Sequence, residues 1–253
     1  MKKLFCLPLL ALPLALLPMT SAFADTMSSE SRAIDSKVQK ILLNGVVSVT
    51  IKQGATASLM VYAENKQLGY IVTEQHGEVL RIGSKRPRGD QTKLRAEITL
   101  PQLQEFVAAG VGKSDLSGFS GETMRVDLKG AGAVSFQGSY KTVQSSLTGV
   151  GSLALNLSNT DNTEFKLSGL GSAVLKGQSK KLHANLSGLG SMDAEHFNVD
   201  TLDLRLKGMG SATAFAKQTA NVNLAGMGSA TIYGNPTTRN GNRSGMGSIS
   251  WKE

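Results

Sequence analysis

The sequence predicts an all-β protein wound as a right-handed parallel β-helix, and three observations predict it. The triplet Gly-x-Gly occurs eight times, beginning at Gly110, Gly130, Gly149, Gly169, Gly188, Gly208, Gly226 and Gly245, at spacings of 20, 19, 20, 19, 20, 18 and 19 residues. Between copies the chain alternates apolar and polar residues, as in Leu202-Asp203-Leu204-Arg205-Leu206-Lys207, the period of a half-buried strand. Like also falls on like from copy to copy. Two residues before the first glycine stand Leu128, Leu147, Leu167, Leu186, Leu206 and Leu224, and four after it stand Val134, Leu153, Ala173, Met192, Ala212, Ala230 and Ile249.

A unit this short cannot bury its apolar face alone, whereas stacked units build one continuous core. Coils about 4.8 Å apart turn these columns, and the apolar middle residue of Gly-x-Gly, into ladders. Each unit reads as two short strands and a corner. Glycine suits the corner because it accepts φ > 0 or close backbone approach, and a β-branched residue there would be strained. The repeat is longer than the coil of a left-handed hexapeptide helix, and parallel crossovers are strongly right-handed.

Taken in order, residues 1–24 read as a secretory signal peptide. Lys2 and Lys3 form the positive start, Leu4 to Leu17 the apolar run, and Ala22-Phe23-Ala24 the cleavage site. Pro8, Pro13 and Pro18 argue against a spanning helix. Cys6 comes too early in the apolar run to be a lipidation site. Cleavage would leave a chain starting at Asp25, its net charge lowered from +8 to +6 by the loss of Lys2 and Lys3. Cys6 is the only cysteine, so the mature chain would have no disulfide, thiolate nucleophile or Cys metal site. No later apolar run approaches the roughly 18 residues of a spanning helix.

Residues 25–105 read as an N-terminal cap with irregular first coils, continuous with the regular repeats of 106–253. Val46 to Ile51, Leu59 to Tyr62 and Leu94 to Leu100 alternate as strands, and Tyr70–Thr73 and Val79–Ile82 flank a hairpin at Gln75-His76-Gly77-Glu78. A basic cluster follows: Lys85, Arg86 and Arg88, then Lys93 and Arg95. It is a candidate site for anionic envelope polymers, although a solvated loop around Pro87 and Gly89 is the simpler account. Interleaved aromatics, which a nucleic-acid groove uses for base stacking, are missing from it, so nucleic acid is not an expected partner. At the C-terminal end Lys252 and Glu253 form a weak charged guard against edge pairing.

Little chemistry is legible. Outward positions five before the first glycine are Arg125, Gln144, Glu164, His183, Asp203, Asn221 and Asn240. Three before it stand Asp127, Ser146, Lys166, Asn185, Arg205, Asn223 and Asn242. No two carboxylates sit one coil apart, as general acid–base work on a glycan would need. The best cluster for a β-helical polysaccharide lyase or hydrolase is Asp203 and Arg205 near His183, and a mixed-charge solvated sheet explains it as well. Six copies place Ser after Gly-x-Gly, but no His column accompanies them, so a hydroxyl ladder satisfying the corner hydrogen bonds is the simpler account. Three histidines and no mature cysteine leave metals and cofactors unexpected. The Asn- and Ser-rich strip, with Asn185, Asn221 and Asn223, is the second candidate binding surface, for glycans or surface proteins.

The stretch Gly45-Val46-Val47-Ser48-Val49-Thr50-Ile51-Lys52-Gln53-Gly54, then Ile98-Thr99-Leu100-Pro101-Gln102-Leu103, then Gly110-Val111-Gly112 and the Gly-x-Gly-Ser array resembles the GIN domain family of auto-transporter adhesin head domains. The resemblance covers about residues 33 to 250. It implies an exported bacterial β-helix and carries over no catalytic residues. On this reading a C-terminal translocating barrel is not expected after the repeats. The sequence therefore points to a non-enzymatic binding or structural module, periplasmic or at the cell surface, with a polysaccharide lyase or hydrolase as the alternative.

Overall fold

The computed structural model describes residues 27–64, 67–85 and 94–253. The expected signal peptide, and Arg86, Arg88 and Lys93 of the basic cluster, lie outside the described residues. Strands β1 (Met27–Arg32), β2 (Lys40–Leu43), β3 (Ser48–Gln53), β4 (Ser58–Glu64), β5 (Ile71–His76), β6 (Val79–Ser84), β7 (Arg95–Leu100) and β8 (Glu105–Ala108) lead into the repeats. Then come β9 (Val111–Leu128), β10 (Ala131–Leu147), β11 (Val150–Leu167), β12 (Leu170–Leu186), β13 (Leu189–Leu206) and β14 (Ser211–Ala225), followed by the shorter β15 (Ser229–Tyr233), β16 (Thr238–Ser244) and β17 (Ser248–Trp251). The chain is a β-solenoid of stacked parallel coils. Among the described residues no helix is long and apolar enough to cross a membrane.

From β9 to β13 each coil is one strand of 17 or 18 residues rather than two short ones. Parallel pairing follows the chain round a second bend in mid-coil. That bend absorbs the differences in repeat length: register slips between Gln137 and Gly138, between Leu157 and Thr160, and between Val174 and Gly177. The extra residue bulges out, with Gly118 at φ 87° and Asn159 at φ 54°. The Gly-x-Gly corner keeps strict register, for example Gly132↔Gly151, Gly151↔Gly171 and Gly171↔Gly190.

Close packing demands glycine at that corner, and at Gly112, Gly151, Gly226 and Gly245 a positive φ of 110–149° demands it as well. At Gly190 a Cβ would collide with the carbonyl oxygen of Gly171 in the coil before and lie 3.1 Å from Cδ2 of Leu167. Gly190 does not have positive φ, so the obstacle to a side chain there is steric, not the strain expected from the sequence. In the repeats the corner hydrogen bonds are backbone ones, such as Ala131 N–H to Gly110 O at 3.0 Å and Leu170 N–H to Gly149 O at 3.1 Å, while in the first coils Val46 N–H reaches Ser84 Oγ at 2.8 Å and Lys113 N–H reaches Ser48 Oγ at 3.3 Å. Ser152, Ser172 and Ser211 face solvent, so the serine ladder does not carry them.

The Leu column from Leu128 to Leu224 is buried, together with Phe106, Phe119, Phe136, Phe165 and Phe197. Each such side chain contributes about 1.5–3 kcal/mol by leaving water. Tyr140 sits at the second bend, 2% exposed. Its hydroxyl donates to the Leu103 carbonyl at 2.5 Å, and burial pushes its pKa up to about 12.

The N-terminal third departs from a simple run of first coils. The β2–β3 coil is stacked between two others, because β2 pairs with both β6 and β8 and β3 with both β7 and β9. The chain thus lays one coil, runs to the end to form β6 and β7, and returns on the other side. The corner column starts at Gly45-Val46, bridged to Val111. Antiparallel β5, β4 and β1 close this end, β5 on β6 through the expected hairpin and β1 on β4 on β7. The outermost strand, Met-Ser-Ser-Glu-Ser-Arg, is polar after its first residue, which blunts an open edge.

The other end carries a further guard beside the expected Lys252 and Glu253. Arg239 and Arg243 stand in register on Ala220 and Leu224, taking places that earlier coils give to core residues. Arg243 Nη1 donates to the Gly247 carbonyl at 3.1 Å, and the Arg239 guanidinium lies 5.8 Å from the centre of the Trp251 ring. Inward-placed charge stops another coil from adding to the core.

Candidate functional site

The C-terminal half of each long strand forms a lateral face. Its inward residues are core, and the alternation aims the residues three and five before each glycine at the outer surface, where Asp127 is covered, 2% exposed. In register, His183, Asp203, Asn221 and Asn240 make one column, and Asn185, Arg205, Asn223 and Asn242 make the next. Of the residues the sequence singled out, the structure brings Asn185, Asn221, Asn223, His183, Asp203 and Arg205 onto this one face. Lys85 is exposed at the far N-terminal end, its N–H bonded to the Tyr70 carbonyl at 2.9 Å, and does not join them.

The two halves of the face differ in charge. In the early coils ion pairs satisfy one another: Lys40 to Glu105 at 3.8 Å, Arg125 to Glu105 at 3.9 Å and Arg125 to Asp127 at 2.8 Å. Ser146 also donates to Asp127, at 2.6 Å. The hydrogen bond and charge of Asp127 raise the pKa of Arg125. Lys166 closes on Glu164 at 2.7 Å. Toward the C-terminus amides take over. Asn221 Nδ2 donates to Asp203 Oδ1 at 2.7 Å, and Asn240 Nδ2 donates to Asn221 Oδ1 at 2.8 Å. An amide carries two N–H groups and a carbonyl with two lone pairs, so Asn221 and Asn240 each keep a donor and an acceptor for a ligand, while the Asp203 carboxylate keeps acceptors only. Asp203, Arg205, Asn221, Asn223, Asn240 and Asn242 line a shallow depression there.

Asp203 is thus held by Asn221, one coil on, while His183 is only its register neighbour on the other side. Among the described residues no group of His, Cys, Asp and Glu is placed to hold a metal ion. Sequence reasoning left Asn240 and Asn242 out of the site. Their signal was present as two further asparagines in the same columns, but the bond that joins Asn240 to Asn221 needed side-chain positions.

A second surface runs along the corner. The middle residues of Gly-x-Gly form a ladder, but it faces outward. Val111, Val150, Leu170, Leu189, Met209 and Met227 are 48–55% exposed, and Met246 is 83% exposed. The reason is parity. The buried Leu two before the first glycine and the middle residue are three positions apart, and an odd step in a strand changes face. The glycines take the inward places, where a stacked backbone leaves no room.

Residues 38–236 match the family described as "Putative auto-transporter adhesin, head GIN domain". No curated protein matches the chain. Among solved structures, a "putative adhesin" from Parabacteroides distasonis is similar at 19% identity and a TM-score of 0.82, over 90% of this chain and 97% of that one. A "putative lipid binding protein" from the same species is similar at 20% identity and 0.80, over 90% and 97%. A "putative adhesin" from Parabacteroides merdae is similar at 18% and 0.79, over 90% and 96%. At these identities the likeness is one of fold.

Proposed function

Because this chain belongs to the family of auto-transporter adhesin head GIN domains, we propose that it is an exported, non-enzymatic binding module of the cell envelope. In this reading residues 1–24 are its cleaved leader. It holds an extended polar polymer, a glycan foremost, along the lateral face at Asn185, Asn221 and Asn223, extended by Asn240 and Asn242. The observation that carries the reading is the Asp203–Asn221–Asn240 ladder. It offers acceptors at every coil and donors from the two amides, about 4.8 Å apart, to a ligand whose own hydroxyls repeat. A rigid solenoid suits such partners because it presents the same surface many times.

A glycan array and pull-downs from envelope fractions, at low and high salt, test this. Binding should survive high salt, since neutral hydrogen bonds carry it, and fall with Asn221→Ala and Asn223→Ala. Binding that collapses with salt and with loss of Lys85, Arg86 and Arg88 would move the site to the basic loop. Turnover of an acidic polysaccharide, lost in Asp203→Asn, would make the protein a lyase or hydrolase instead.

A further inference from the structure

The outward corner ladder is the largest feature that the reading above does not use. Beside it, outward positions such as Ser168, Ser172 and Ser187 carry hydroxyls, whereas this one column stays apolar. With Val46 as its first rung and Met246 as its last, it makes nine rungs. At about 4.8 Å per coil, that is a straight ridge roughly 38 Å long. We propose that this ridge is a self-association surface, at which a second copy of the chain packs antiparallel along the serine-side flank.

Four observations select that occupant. The first is area. Seven side chains, half exposed or more, stand in one line and present several hundred Å² of apolar surface, as much as the largest patch on an ordinary monomer. Doubled across a two-fold axis, with the groove walls added, the area reaches roughly the 1,200–2,000 Å² of a specific interface.

The second is the chemistry of the flank. From Gly132 to Ser211 the groove beside the ridge is lined by glycine, serine and the ridge residues, without a charge, as in the core of an interface. The third is spacing. The ridge repeats once per coil, and another stack of the same coils is commensurate with it rung for rung.

The fourth is taper. Apart from Ala131, side chains grow along the axis, from Val111 and Val150 through Leu170 and Leu189 to Met209 and Met227. Antiparallel pairing about Leu170 sets the large end against the small one, so thickness stays even along an isologous contact. The same operation would bring Lys129 to Lys207 on the opposite flank, like against like. On the serine side it brings Lys113 to Ser229. Charge therefore chooses the serine side.

Sedimentation equilibrium of the exported protein at tens of micromolar should give twice the chain mass. Leu170→Asp combined with Leu189→Asp should weaken association by about tenfold or more, with an unchanged circular dichroism spectrum because both side chains already face water. The register is read by disulfide trapping in a Cys6→Ser background. Leu170→Cys should cross-link to its own copy. Met246→Cys alone should not, since its two copies lie about 38 Å apart in this arrangement, but it should cross-link when mixed with Val46→Cys. A monomeric mass throughout the range overturns the proposal. So does a monomer that binds phosphatidylglycerol vesicles through the ridge and loses them in the double variant, which would assign the ridge to lipid. Self-cross-linking at both ends would overturn the antiparallel arrangement.

Discussion

Asn221 reaches back one coil and donates from Nδ2 to Oδ1 of Asp203 at 2.7 Å. The two are 18 residues apart in sequence and in direct register in the sheet. The bond fixes how an exposed amide presents its remaining hydrogen-bonding groups. It is also why Asp203 reads as part of a polar ladder more readily than as half of a catalytic pair with His183.

Breaking this bond should separate stability from binding. Asn221→Ala removes two side-chain hydrogen bonds, a part-buried one to Asp203 and an exposed one from Asn240, so the expected loss is about 1–2 kcal/mol. Glycan affinity, measured by calorimetry on any array hit, should fall about tenfold, two missing contacts at roughly 0.5–1.5 kcal/mol each being enough. Affinity unchanged in Asn221→Ala would put the ligand elsewhere.

At the corner, Gly190→Ala should destabilise nearly as much as Gly190→Val, each by about 1–3 kcal/mol, because the first carbon already meets the Gly171 oxygen. Urea titration of both variants checks this. A mild Ala variant beside a severe Val variant would restore strain at the β carbon as the cause.

In the core, Leu186 is 3% exposed and stacked between Leu167 and Leu206. Leu186→Ala should cost about 2–5 kcal/mol, since neighbours fixed by two adjacent coils cannot collapse into the cavity. The far-ultraviolet spectrum should keep its strand signature while the urea midpoint falls. A midpoint shift worth less than 1 kcal/mol would mean that the stack relaxes.

Tyr140 makes stability fall in alkali. Burial raises its pKa to about 12 from an ordinary value of 10.0, so the folded state holds a proton that the unfolded state releases earlier. The contribution is complete below pH 10 and is lost between pH 10 and about 12, at up to about 1.4 kcal/mol per pH unit. Melting temperatures of the parent and Tyr140→Phe, compared across that window, should show a flatter profile in the variant. Parallel profiles would remove Tyr140 as the cause.

The C-terminal guard can be undone. Arg239→Ala with Arg243→Leu would continue the core columns into the last coil and leave an apolar end. Light scattering should then show concentration-dependent growth of long assemblies, as an open sheet edge templates further pairing. A variant no more associated than the parent would show that Lys252 and Glu253 suffice.

The sequence by itself determined the coil. Glycine pairs at intervals of 18 to 20 residues, strict alternation and the leucine column are local, repeated signals, and they fix strand, corner and stacking without any knowledge of distant contacts. It also placed Asn185, Asn221 and Asn223 in neighbouring columns, because columns follow from the repeat. The outward aim of Leu170 agrees with parity, three positions from the buried Leu167, but the repeat groups it with the core ladders, and the structure turns it out.

Other features needed the tertiary structure because they depend on pairings that no repeat specifies. The coil at β2–β3 lies between β6–β7 and β8–β9 because the chain leaves the stack and comes back, and nothing local to Gly45 marks that return. The variable second bend, the Asn240–Asn221 bond and the arginines placed on Ala220 and Leu224 are likewise matters of register between coils. A repeat fixes what stacks, and only the folded chain decides the order of the first coils, where the stack ends, and which polar atoms meet between coils.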